Sequence, residues 1–149
     1  MTRGHVVEQS RADVTSPRTA VGAVVAAVFA VHAIVVFIIR NHGWDDGAIT
    51  LAFARTFASD GVIALTPTSE EVEGFSSVAW FLLMSAAAKL GLGDFDALVR
   101  TSQLTAALCT AAAAAIFYVL LRRYMSAAAG ALLAVGLFCS GPFLNESMN

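Results

Sequence analysis

Between Thr19 and Ile39 the chain reads TAVGAVVAAVFAVHAIVVFII, twenty-one residues without a formal charge. As a helix, about 20 such residues cover the roughly 30 Å hydrocarbon layer of a bilayer. The run is too long for the apolar part of a signal peptide, and the following RNHGWDD offers no small-residue cleavage site, so it is expected to be retained as a first span over about 19–40. Arg40 at its end can snorkel to the interface. Residues 1–18, with Arg3, Arg11 and Arg18 among Glu8 and Asp13, show no apolar periodicity and read as a disordered cytoplasmic tail.

The remaining chain repeats the pattern. Hydrophobic residues make up 58% and charged residues 13%, with a mean hydropathy of +0.73, whereas soluble domains carry roughly 25% charged residues. After a polar interval at 41–75, the segment 76–93 is apolar, with Trp80 near one end and Lys89 near the other as interfacial anchors. A longer segment, 98–121, ends in Arg122, Arg123 and Tyr124, and 125–144 is Ala- and Gly-rich with Pro142 near its end. The expected architecture is all-α. It is a multi-span transmembrane helix bundle of about four spans, residues 19–149 forming the membrane domain, with a short amphipathic surface helix in the first extracytoplasmic loop. Ala111 to Ala115, and Gly130 with Ala134, allow close helix approach and are expected to serve bundle packing.

The formal charge of −2, a pI near 5.8 and the lack of any dense Lys/Arg run exclude nucleic acid as a partner and leave the lipid bilayer. Cys109 and Cys139 lie in apolar sequence without CxxC or His spacing, and are expected to be small buried hydrophobes. His32, midway along the first span, is expected to hydrogen-bond a neighbouring helix. With four alternating spans and a cytoplasmic N-terminus, Arg3, Arg11, Arg18, Lys89 and Arg100 fall inside, against Arg40, Arg55, Arg122 and Arg123 outside. Charge alone then barely orients the chain in the plasma membrane, and Arg122–Arg123 fall on the disfavoured side.

Chemistry, if the chain has any, is concentrated in the polar interval. Asp45, Asp46, Asp60, Glu70 and Glu71 precede Glu73 there, against the single Arg55. Ile49, Phe53 and Phe57 recur every four residues, so they share one face of a short helix whose aromatic side is expected to lie in the headgroup boundary. An Asp at the start of such a helix is a preferred cap and gains about 0.3–1 kcal/mol from the helix dipole. Capping needs one carboxylate. A pair near an apolar boundary can do more: one Asp as general base towards a hydroxyl, its neighbour orienting it or holding a divalent cation such as Mg or Mn. His42, at the loop entrance, is accessible enough to assist a metal or a phosphate.

Residues 44–91 read WDDGAITLAFARTFASDGVIALTPTSEEVEGFSSVAWFLLMSAAAKLG. This run resembles the first outer loop and second span of the GT-C type glycosyltransferases that use polyprenyl-phosphate sugars. The nearest look is the actinobacterial terminal arabinofuranosyltransferases. Their pattern is an Asp-Asp pair opening a surface helix of form DDAYITxRYARN, a Gly-containing turn, and VEGYTSxLW leading into the second span. The corresponding residues are Asp45-Asp46, Ile49-Thr50, Phe53-Ala54-Arg55, Asp60-Gly61, and Val72-Glu73-Gly74-Phe75-Ser76-Ser77 with Trp80. Gly47-Ala48 and Ala52-Phe53 depart from it, where the family has an aromatic after the pair and Arg-Tyr later.

The resemblance implies inverting transfer of a sugar, arabinofuranose or mannose, from a polyprenyl-phosphate donor to a glycan acceptor hydroxyl outside the cytoplasm, in cell-wall biogenesis. It implies Asp45 or Asp46 as the catalytic base, Arg55 as a cation for the donor phosphate, and Glu73 as a partner for sugar hydroxyls. Family members have many more spans, so the chain is expected to be the N-terminal part of such an enzyme, inactive without the C-terminal spans. The competing expectation is a non-catalytic four-span protein or transporter fragment in which the Asp pair only caps a helix. Transporters usually carry ionisable groups inside their spans, whereas here, His32 apart, these groups lie in the loop.

Overall fold

The computed structural model describes residues 16–39, 46–70, 75 and 77–146, and within them every regular element is helical. In chain order these are α1 (Pro17–Ile39), α2 (Asp46–Asp60), α3 (Val78–Ala87) running into a π-helical stretch (Ala88–Leu92), α4 (Phe95–Leu121), α5 (Ala127–Phe138) and α6 (Gly141–Glu146). The expected tail lies almost wholly outside the described residues.

Local chemistry sets the ends. Ser77, Asp94 and Ser126 cap α3, α4 and α5, their side-chain oxygens accepting from the N–H groups of Trp80, Ala97 and Ala129. Gly61 (φ 77°) stops α2, and Gly91 (φ 103°) breaks the helix that begins at Val78. Inside α4 the hydroxyls of Thr101, Thr105 and Thr110 donate to carbonyls one turn back at 2.7–2.9 Å. That pairs the three threonine hydroxyl protons on a helix otherwise suited to lipid.

α1 and α4, about 35 and about 40 Å long, are long and apolar enough to cross a membrane. Only 22% of the residues in the most apolar stretch of each are buried, and Ile38 is 73% exposed. A core helix of a soluble protein would be wrapped on most sides. α5, at twelve residues, is about 18 Å long and falls short of the hydrocarbon thickness. The expected span 125–144 is instead two helices separated at Cys139–Ser140, the first ending before Gly141.

α1 and α4 pack antiparallel. Val24 and Val28, near the start of α1, share one core with Ala111, Ala114 and Tyr118, near the end of α4, and Ala134 of α5 closes it. At the opposite end, Leu51, Phe53 and Ala54 of α2 pack with Phe81 and Met84 of α3 and with Leu98 and Val99 at the start of α4. Four alternating spans would make the first and third parallel. Here the end of α1 and the start of α4 lie at the same end of the pair, and α2 and α3 pack there. The helix at 78–92 is therefore not a crossing between them; it packs on α2, and the Gly91 break turns the chain into α4.

Small residues do serve packing inside the bundle. Gly130 and Ala134 are buried, and a Cβ at Gly130 would lie 3.5 Å from Leu121 and 3.6 Å from the Tyr118 ring. The cysteines differ from expectation: both are free, with Cys109 exposed on α4 and Cys139 half-buried. His32 is fully buried, but its Nδ1 donates to the carbonyl of Val28 in its own helix at 2.9 Å rather than to a neighbour. Its Nε2 is buried without a hydrogen-bond partner.

Candidate functional site

α2 is the element on which the candidate residues were expected. It begins at Asp46, so one member of the Asp pair opens the helix; Asp45, His42 and Glu73 lie outside the described residues, and of Asp46 only the backbone is described. One face of α2 is held by the protein. Thr50, Leu51, Phe53, Ala54 and Thr56 are buried, and Phe53 meets Phe75 edge-on at 6.0 Å. Phe75 in turn stacks on Phe81 at 4.2 Å, and Phe57 tilts against Phe81 at 5.4 Å.

This corrects the expectation for the aromatic face. Phe53 is 2% exposed and turned into the molecule, not towards headgroups, and only Ile49 of the three remains exposed. A buried Phe is worth about 1.5–3 kcal/mol, and α3 with Phe75 supplies the aromatic partners that make inward packing the better choice. The periodicity was enough to predict a shared face but not its partner.

Arg55 is on the outer side of α2 and exposed. Nine residues separate it from Asp46, about 14 Å along the axis and half a turn around it. The structure thus keeps Arg55 apart from the start of α2. Two cations assigned from sequence to the other side join α2 instead. Lys89, on the π-helical stretch, holds its Nζ 5.5 Å from the centre of the Phe57 ring, and Arg100 is exposed in the second turn of α4. The signal for this was present in the sequence: Gly91-Leu92-Gly93-Asp94 is a helix stop followed by a cap, which argues against a continuous crossing through Lys89.

Compared with known protein families, curated proteins and solved structures, the chain has no match.

The floor beneath this end of the molecule is polar at two points. Thr50, at the start of the second turn of α2, and Gln103, one turn beyond Val99 on α4, are both buried, and both have interaction partners. Beyond α2, Gly61 donates to the Phe57 carbonyl and Thr56 Oγ1 donates to the carbonyl of Leu65 at 3.2 Å, which folds 61–70 back on α2. Among the described residues no three His, Cys, Asp or Glu side chains converge to hold a metal.

Proposed function

We propose that the chain is a membrane-embedded part of a glycosyltransferase that moves a sugar from a polyprenyl-phosphate donor to an acceptor hydroxyl on the extracytoplasmic face. α1 and α4 cross the bilayer in this reading. What carries the proposal is that antiparallel packing of α1 and α4 gathers the described part of the resembling run, 46–70, 75 and 77–91, at one end of the molecule.

Charge supports the sidedness. With 76–93 no longer a crossing, Arg3, Arg11, Arg18, Arg122 and Arg123 belong to one side, and residues 40–100 carry eight Asp and Glu against four Lys and Arg. The Arg122–Arg123 pair then agrees with the positive-inside rule instead of opposing it, which favours a cytoplasmic N-terminus.

The reaction this site would run is a single displacement. The acceptor oxygen attacks the anomeric carbon, its proton passes to Asp45 or Asp46, and the bond from the anomeric carbon to the phosphate oxygen breaks. The polyprenyl phosphate leaves with the electron pair. A lipid-linked donor stays at the interface, so a base fixed at that depth supplies proximity as well as proton transfer. Arg100, next to Val99 in the cluster that Leu51 of α2 joins, is the cation assigned to the departing phosphate in this scheme. A divalent cation at the Asp pair would add charge stabilisation of the same kind.

The test is transfer by the complete protein in vesicles with radiolabelled polyprenyl-phosphate sugars. Asp45→Asn and Asp46→Asn are each made, and at least one should lower turnover by about 10²- to 10⁴-fold while the protein stays folded and inserted. Full activity in both variants removes the base. A loss confined to thermal stability identifies a cap.

A further inference from the structure

At the end of the molecule remote from α2, a groove of about 860 Å³ opens between α1, α4 and α5. Its walls include Ala20, Ala23, Tyr118, Ser126, Ala131 and Val135. Alanine side chains leave the space, and none of the three helices fills it. Two observations make it more than a gap between small residues. Tyr118 is 2% exposed yet lines the groove, and its phenol makes no hydrogen bond among the described residues. Arginines flank the lining along the chain: Arg18 adjoins the lining residue Thr19, Arg122 and Arg123 follow Tyr118 by one turn, and all three are exposed. No Asp or Glu occurs in residues 16–39 or 117–145 to balance them.

We propose that this groove is a binding site for an anionic phospholipid. One acyl chain lies against the alanine walls, the phosphate is met by Arg18, Arg122 and Arg123, and the Tyr118 hydroxyl donates to an ester or phosphate oxygen. An apolar slot topped by arginines, on the side that charge assigns to the cytoplasm, has the character of sites that hold anionic headgroups between membrane helices. The sugar donor is a different ligand at the other end of α1, about 35 Å away. The inference rests on the bilayer placement of α1 and α4 proposed above and not on the transfer chemistry.

The test is native mass spectrometry of the full chain released from mixed micelles containing equal phosphatidylglycerol and phosphatidylcholine. Phosphatidylglycerol should be retained preferentially, and Arg122→Gln and Arg123→Gln should each weaken its retention about fivefold. Ala131→Phe, which fills the groove without touching the charges, should reduce retention of both lipids. Equal retention of the two lipids overturns the proposal. So does an unchanged preference in the double arginine variant, or a disulfide dimer through Ala131→Cys that shows a second copy in the groove. Retention is read without turnover, so it stands or falls separately from the Asp45 and Asp46 experiment.

Discussion

His32→Leu should make the protein more stable, although it removes the most deeply buried polar side chain of α1. The ring donates through Nδ1 to the carbonyl of Val28, which fixes Nε2 as the lone-pair nitrogen in the neutral ring, and that nitrogen is buried without a partner. An unsatisfied buried acceptor costs about 1–3 kcal/mol, and the single bond the ring does make returns about 0.5–1.5 kcal/mol. Val28's carbonyl keeps its helical partner when the side chain changes. Leucine is close to histidine in volume, and the neighbouring Val28 and Val36 are apolar, so the gain should be about 1 kcal/mol. His32→Ala separates polarity from volume: the void left between α1 and α4 should cost about 2 kcal/mol or more. Both are measured as changes in the free energy of unfolding by SDS titration from bicelles. A Leu variant less stable than the parent by about 1 kcal/mol would refute the reasoning, because it would mean that Nε2 has a partner in the folded protein.

Antiparallel packing makes a prediction that four spans contradict. In a background with Cys109 and Cys139 replaced by serine, Lys89→Cys and Gly47→Cys should be labelled by a membrane-impermeant maleimide from the same side of sealed vesicles, and Arg123→Cys from the other. Labelling of residue 47 together with residue 123, with residue 89 reached only from the opposite side, would restore the crossing at 76–93. Gly130→Ala should be tolerated or raise stability by about 0.5–1 kcal/mol, since its Cβ would meet Leu121 and Tyr118 at ordinary contact distance. Gly130→Leu should separate α5 from α4 and cost about 1–3 kcal/mol, read from the same unfolding titration.

The helices were legible because apolar runs and caps are local. Thr19–Ile39 lacks any charge, and the caps Ser77, Asp94 and Ser126 each precede an apolar run, so every long element was visible in one dimension. Direction was not, because it depends on what packs on what. The segment 76–93 has the composition of a crossing, and only its partners reveal otherwise: Phe81 and Met84 meet α2 and the start of α4, not a lipid-facing flank of α1. The same non-locality explains Phe53 and Phe57, whose shared face was readable while its aromatic partners Phe75 and Phe81, some twenty residues on, were not. Charge held the missing information in part. Arg122–Arg123 opposed the positive-inside rule as long as three alternating crossings preceded them, and that conflict disappears once the helix at 78–92 is folded back on α2. A sequence whose charges contradict its span count is thus better explained by removing a crossing than by weakening the rule, and here the weakest apolar run, ended by Gly91 and recapped at Asp94, was the one to remove.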